Sequence, residues 1–238
     1  MFNYAVNELE RRDYNPVSKV KTKKPDDLDP VILDDHEYGR LLAECETRDE
    51  MIWIYALFLG ETGACSMSKA PWLRWEDVDL TGGWIRIVQG RDEHRTKTGK
   101  GRDVPMTKRL HKTMRQHFAT YRFHEYERKD GDQTTVGRSP WVFHHLIRRR
   151  QAEAGSRFYG LHRSLKAAAA DAGIESRWRL HDLRHRRATT CIAAGKNPVK
   201  VQQALGHSSI QTTMKYTHLV KDHLRSLVED DSQDTRAG

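Results

Sequence analysis

Near its C-terminal end the sequence sets a tyrosine, Tyr216, nine positions after a histidine, His207, in the polar stretch GHSSIQTTMKYTHL. Such a ring either caps a small core while its hydroxyl reaches water, or the hydroxyl is a nucleophile. Upstream, in LHDLRHRRATTCIAAG, His181 and Arg184 lie three apart in a helical segment and so share a face. Arg184 offers a planar fork that suits two oxygens of one phosphate, and His181 adds a donor beside it. Lys97, in RTKTGKG, belongs to a hairpin tip whose glycines permit close approach to a backbone. Each feature alone has a plain reading: a solvated basic helix face for His-x-x-Arg, an ordinary turn lysine for Lys97.

HDLRH also contains the His-x-x-x-His half of a zinc site, with Asp182 where a metalloprotease keeps its glutamate. Arg184 and the flanking arginines would oppose a divalent cation there, and aspartate reaches less far than glutamate. The sequence therefore gives no metal site and no cofactor site.

The elements that must hold these residues are mostly helical. DDHEYGRLLAEC and RDEMIWIYALFLGETG carry helical apolar spacing, each opened by acids and the second closed by Gly63. In WIRIVQGRDEHRTKTGKGRDVPM the period changes to two, and a basic, glycine-punctuated loop joins two strands as a hairpin. TKRLHKTMRQHFATYRFHEYER reads as helix and KDGDQTTVGRSP as loop. LHRSLKAAAADAG is a helix ending at Gly173. HDLRHRRATTCIAAG is another, with Ala188, Ile192 and Ala193 on its apolar side. NPVKVQQALG is a third, from Pro198 to Gly206. The fold class expected is mainly α with a small antiparallel β-sheet, an α+β arrangement.

The chain has 238 residues, enough for one large domain with a real core, and its net charge is +8. A polyanion is the partner this balance suits, and the arginines cluster in RWRLHDLRHRR and GRDEHRTKTGKGRD. The longest apolar run, MIWIYALFLG, is too short to span a bilayer, so no membrane association is expected. Cys45, Cys65 and Cys191 form an odd set without metal-ligand spacing, and the first residues lack a leader pattern, which points to the cytoplasm.

Taken in order, a turn lysine, His-x-x-Arg, Gly-His at a helix end and a tyrosine after two threonines resemble the catalytic domain of tyrosine recombinases, the phage-integrase family. The matching stretches are LRWEDVDL, TKTGKGRDVPM, LHDLRHRRATTCIAAG and VQQALGHSSIQTTMKYTHL, from about residue 35 to the C-terminus. The resemblance implies that Tyr216 attacks a DNA phosphate and forms a 3′-phosphotyrosyl link. It implies that Arg184 clamps the non-bridging oxygens, and that His181 and His207 donate hydrogen bonds or help move the tyrosine proton. Lys97 protonates the departing 5′-oxygen. The implied partner is double-stranded DNA at the nucleoid, held by a homo-tetramer on two DNA sites, in the service of a mobile genetic element. The tail after Tyr216 becomes a short helix that docks on a neighbouring subunit, with Leu219, Leu224, Leu227 and Val228 on its apolar side.

Two departures stand out. The family carries a further arginine in a Thr-Gly-x-Arg-x-x-Glu stretch; aligned from Thr62-Gly63, Cys65 takes the arginine's place and Lys69 the glutamate's, with Pro71 close behind. A cysteine cannot supply two charge-assisted donors, so activity is expected to be impaired. The second departure is at the N-terminus, where residues 1–28 have room only for the last helix of a DNA-clamping domain and a linker, and residues 29–238 form the catalytic domain. Three readings follow: a working site-specific recombinase, a degenerate relative that binds DNA without cutting, and a basic helical nucleic-acid-binding protein matching by accident. The coincidence of four ordered motifs speaks against the third.

Overall fold

The computed structural model describes residues 30–64, 70–88, 101–130, 133–148, 152–158, 161–175 and 177–217. The N-terminal segment 1–28 lies outside the described residues, as do Cys65, Lys69, Lys97 and the apolar positions of the C-terminal tail.

Helix α1 (Asp35–Arg48) begins where Asp34 and Glu37 each accept a hydrogen bond from the other's backbone N–H, the reciprocal cap that satisfies two orphan donors. Asp49 then separates α1 from α2 (Glu50–Thr62) and caps the second helix by accepting from the Met51 amide at 2.8 Å. Apolar residues surround α2 almost completely, and it is buried from Met51 to Gly60 except for Trp53, which is only half-buried. Gly60 is required by close approach: a Cβ there would lie 2.1 Å from the Tyr38 hydroxyl. At its end Gly63 turns into the left-handed region at φ 63°, which stops the helix sharply.

A three-stranded antiparallel sheet follows: β1 (Val78–Asp79), β2 (Trp84–Ile87) and β3 (Arg102–Pro105), in that spatial order. Ile85 pairs with Val104, and Ile85, Ile87 and Val104 turn to the core while Trp84 and Arg86 face out. The expected hairpin across 84–106 is therefore present in its two strands. Helix α3 (Lys108–Tyr121), capped by Thr107, buries Leu110, Thr113, Met114 and His117 on one face.

Here the structure departs from the expected helix-then-loop. The helix stops at Tyr121, and β4 (Glu125–Asp130) and β5 (Gln133–Arg138) pair as a separate antiparallel ribbon. Tyr126 is buried and donates its hydroxyl hydrogen to His144 at 2.6 Å, which draws the chain out of the helix and against the 141–144 segment.

Helix α4 (His162–Asp171) leads to α5 (Asp182–Ala193), which packs on α2. Then come α6 (Pro198–Leu205) and the short α7 (Ile210–Met214). Asn197 caps α6, Pro198 fills its first turn, and Gly206 ends it at φ 70°. Ala188 and Ile192 face inward from α5 as expected, but Ala193 is exposed. The main core gathers around α2 and Phe143. A second, smaller core holds Ala188, Ile192, Val201, Leu205 and Tyr216.

Candidate active site

The turn before α5 is set by Asp182. This carboxylate is fully buried, accepts from the Arg179 amide at 2.8 Å and lies 3.6 Å from the Arg179 guanidinium. An acid at the first turn also suits the positive end of the helix. Asp182 thus fixes the entry to the helix, in the position where a metalloprotease would hold its base. Among the described residues, no three His, Cys, Asp or Glu side chains gather to hold a metal ion.

His181 sits just before the helix, exposed, with its ring edge-on to His185 at 4.9 Å between centroids. Arg184, half-buried one turn on, donates through Nη1 to the carbonyls of Gly63 at 2.9 Å and Leu205 at 2.6 Å. Gly63 follows the last residue of α2 and Leu205 is the last of α6, so one guanidinium joins the carboxyl ends of two helices. Both ends present carbonyls without intrahelical partners and a partial negative charge.

Gly206 passes the chain from α6 to His207. On its far side lies Arg102 of β3, whose Nε donates to the Ala204 carbonyl at 2.7 Å. A Cβ on Gly206 would lie 3.0 Å from the Arg102 side chain, so a close approach and a positive φ both require glycine. The Nδ1 of His207 shares a 2.8 Å hydrogen bond with the buried Thr213 hydroxyl. Burial, and then the Arg184 charge, push its pKa down to about 4, so the ring is neutral at neutral pH.

Tyr216 lies against both His207 and His185. Its ring is 5% exposed and completes the smaller core. Its ring plane lies within 13° of the His207 plane at 6.2 Å between centroids. Its hydroxyl meets His185 Nδ1 at 2.6 Å. A phenol donates here, so Nδ1 accepts and the imidazole proton resides on Nε2. Burial raises the phenol pKa and Arg184 opposes the rise. Burial, and then His181, hold His185 down to about 4.

The structure thus brings Arg184, His207 and Tyr216 around the ends of α2 and α6, with His181 reaching them through His185. Lys97 and Cys65 lie outside the described residues. His185 is the residue that sequence reasoning passes over: it figures there only as half of a metal pair, although its spacing from His181 already sets both on one face. Arg74, a neighbour of Cys65 in sequence, sits 4.9 Å over the Trp141 ring and 3.7 Å from Glu76.

The chain matches the phage integrase family over residues 32–223. It is 29% identical over 236 residues to the tyrosine recombinase XerD of Shewanella oneidensis, covering 95% of this chain and 69% of that protein. Among solved structures it resembles XerA recombinase with a TM-score of 0.62 at 26% identity, over 92% of this chain and 68% of the other. It also shares its fold with XerH site-specific recombinase bound to its palindromic difH substrate, at a TM-score of 0.57 and 22% identity, over 84% and 52% of the two chains.

Proposed function

The chain belongs to the phage integrase family, and from that premise we propose that it is a site-specific recombinase acting on double-stranded DNA through a 3′-phosphotyrosyl intermediate on Tyr216. The observation that carries this reading is the cluster itself. A phenol hydroxyl, two neutral histidines and a guanidinium fixed by two backbone carbonyls meet at two helix ends.

A phenol is a weak nucleophile at neutral pH, so its target must be strongly polarised. Arg184 supplies charge to the non-bridging oxygens as the phosphorus becomes five-coordinate. Its anchorage by Nη1 means that little side-chain freedom is lost when phosphate arrives. His207 and His181 border the same space and serve as donors. The Tyr216 Oη–phosphorus bond forms as the phosphorus–O5′ bond breaks, and Lys97 protonates the departing oxygen. The ester bond energy is kept in the phosphotyrosyl link, so a 5′-hydroxyl from another strand can reseal it.

The clustered arginines bind DNA electrostatically, and log affinity falls steeply with log salt. Two duplexes held by four copies is the assembly we propose. Sedimentation of the protein with its site, with and without excess DNA, tests it.

One observation favours a second reading, in which the chain binds DNA without cutting: Cys65 stands where the family carries an arginine. Losing one such donor lowers a rate by ~10²–10³, so the first reading predicts slow rather than absent chemistry. The test is covalent attachment to a nicked duplex carrying the recombination site. Wild type should form an adduct, and Tyr216→Phe should form none while binding duplex within a few fold. An adduct that survives in Tyr216→Phe, or moves to Tyr121, overturns the assignment. Tight binding with no adduct from wild type favours the second reading.

A further inference from the structure

We propose that His185 receives the Tyr216 proton during strand cleavage, an inference that rests on the recombinase reading of Tyr216. Three histidines surround the phenol, and their geometry separates them. His207 lies nearly parallel to the Tyr216 ring, with its Nδ1 engaged by Thr213. His181 is exposed and meets His185 rather than the phenol. His185 alone among the three has a hydrogen bond to the reacting oxygen, at 2.6 Å, within reach for direct proton transfer.

The surroundings set its state. From α5 and the turn before it, His185 is faced by His181, Asp182, Arg179 and Arg184; from the far side come Tyr216 and His207. Burial and the cationic neighbours keep the imidazole neutral, so the Nδ1 lone pair stays available to the phenol. Two charges counter the arginines when a proton is to be accepted. One is the Asp182 carboxylate, three residues before His185, whose charge already favours the protonated ring; the other is the phosphate, whose negative charge grows as it becomes five-coordinate.

The step balances without a co-reactant. As the Oη–phosphorus bond forms, the phenol proton moves to Nδ1 and gives an imidazolium protonated at both nitrogens. The phosphorus–O5′ bond breaks, and O5′ takes a proton from the Lys97 ammonium. On resealing, the attacking 5′-hydroxyl gives its proton to the Lys97 amine. His185 then returns its proton to Oη as the phosphotyrosyl bond opens.

The experiment follows adduct formation in a single turnover on the nicked duplex, as a function of pH, for wild type, His185→Gln and His185→Ala. Duplex binding and thermal unfolding are recorded alongside. Glutamine can accept a hydrogen bond but cannot take a proton, so it carries the test even if alanine destabilises the fold. We expect both variants to bind duplex within a few fold of wild type and to react ~10²-fold or more slowly. Wild type should lose rate in acid as His185 becomes protonated, and this limb should vanish in His185→Gln. Added imidazole should restore part of the rate to His185→Ala. A His185→Gln variant as fast as wild type, or a slow one that keeps the wild-type acid limb, overturns the assignment and leaves the recombinase reading standing. A wild type that forms no adduct at any pH overturns the recombinase reading and this assignment with it.

Discussion

Arg184 and Gly63 are separated by 121 residues and joined by a 2.9 Å hydrogen bond from the guanidinium to the carbonyl that follows α2. The same nitrogen also holds the Leu205 carbonyl, and both carbonyl-bearing residues are buried. Arg184→Ala strands both acceptors, and each buried unsatisfied group costs about 1–3 kcal/mol. The variant should therefore unfold at a lower urea midpoint as well as lose adduct formation. Arg184→Lys should recover part of the midpoint but little of the rate, because a single ammonium lacks the fork. A wild-type midpoint for Arg184→Ala would mean that the two carbonyls find other partners.

Lys97 and Arg184 should separate when the leaving group no longer needs a proton. With a 5′-thio-substituted scissile phosphate, Lys97→Ala should return close to the wild-type rate. Arg184→Ala should stay slow, since charge on the non-bridging oxygens still develops. Equal recovery of both variants would remove Lys97 from its role as proton donor.

If Cys65 replaces an ancestral arginine, restoring that residue should speed the chemistry. Cys65→Arg is expected to raise the rate of adduct formation by ~10² or more. Pairing it with Lys69→Glu should add to the gain, because a carboxylate attracts the guanidinium where a lysine repels it. Adduct yield against time for wild type, single and double variants measures this. A fast wild type with no gain would show that another residue already supplies the charge.

The protein should weaken in acid through His144. This ring is fully buried, accepts from Tyr126 and donates to the Trp141 carbonyl at 2.9 Å; burial holds its pKa down to about 4. An unfolded histidine titrates near 6.5, so between those values the unfolded chain binds a proton that the folded one refuses. Stability from this residue is complete above pH ~6.5 and falls as the pH drops toward about 4, by roughly 3 kcal/mol at most. His117 is shifted in the same direction by its burial. Urea midpoints of wild type and His144→Gln between pH 7 and 4.5 check this, and the variant should show the shallower slope.

Much of this architecture is legible in the order of residue types. Asp49 and Gly63 bound α2, Pro198 and Gly206 bound α6, and the alternation in WIRI gives β2. These signals are local, each a cap, a left-handed turn or a period of two. The β4–β5 ribbon is not legible in this way. Its strand residues Glu125, Glu127, Thr134 and Thr135 are exposed and polar, and among the described side chains of the ribbon Tyr126 alone is buried. The candidate site is half legible. The sequence identifies Tyr216 and Arg184 by type and order, but the His185–Tyr216 bond spans 31 residues and depends on α6 and α7 folding back over α5. Nothing in the spacing of HDLRH distinguishes which of its histidines meets the phenol.

The bond from Arg102 to the Ala204 carbonyl has a mechanical consequence. Arg102 is the first residue of β3, the edge strand that pairs with β2. Ala204 lies in the last turn of the helix that hands the chain, through Gly206, to His207. Sheet and helix are therefore tied together here. A displacement of β3 is passed to the carboxyl end of α6, so the edge of the sheet acts as a strut that sets the height of His207.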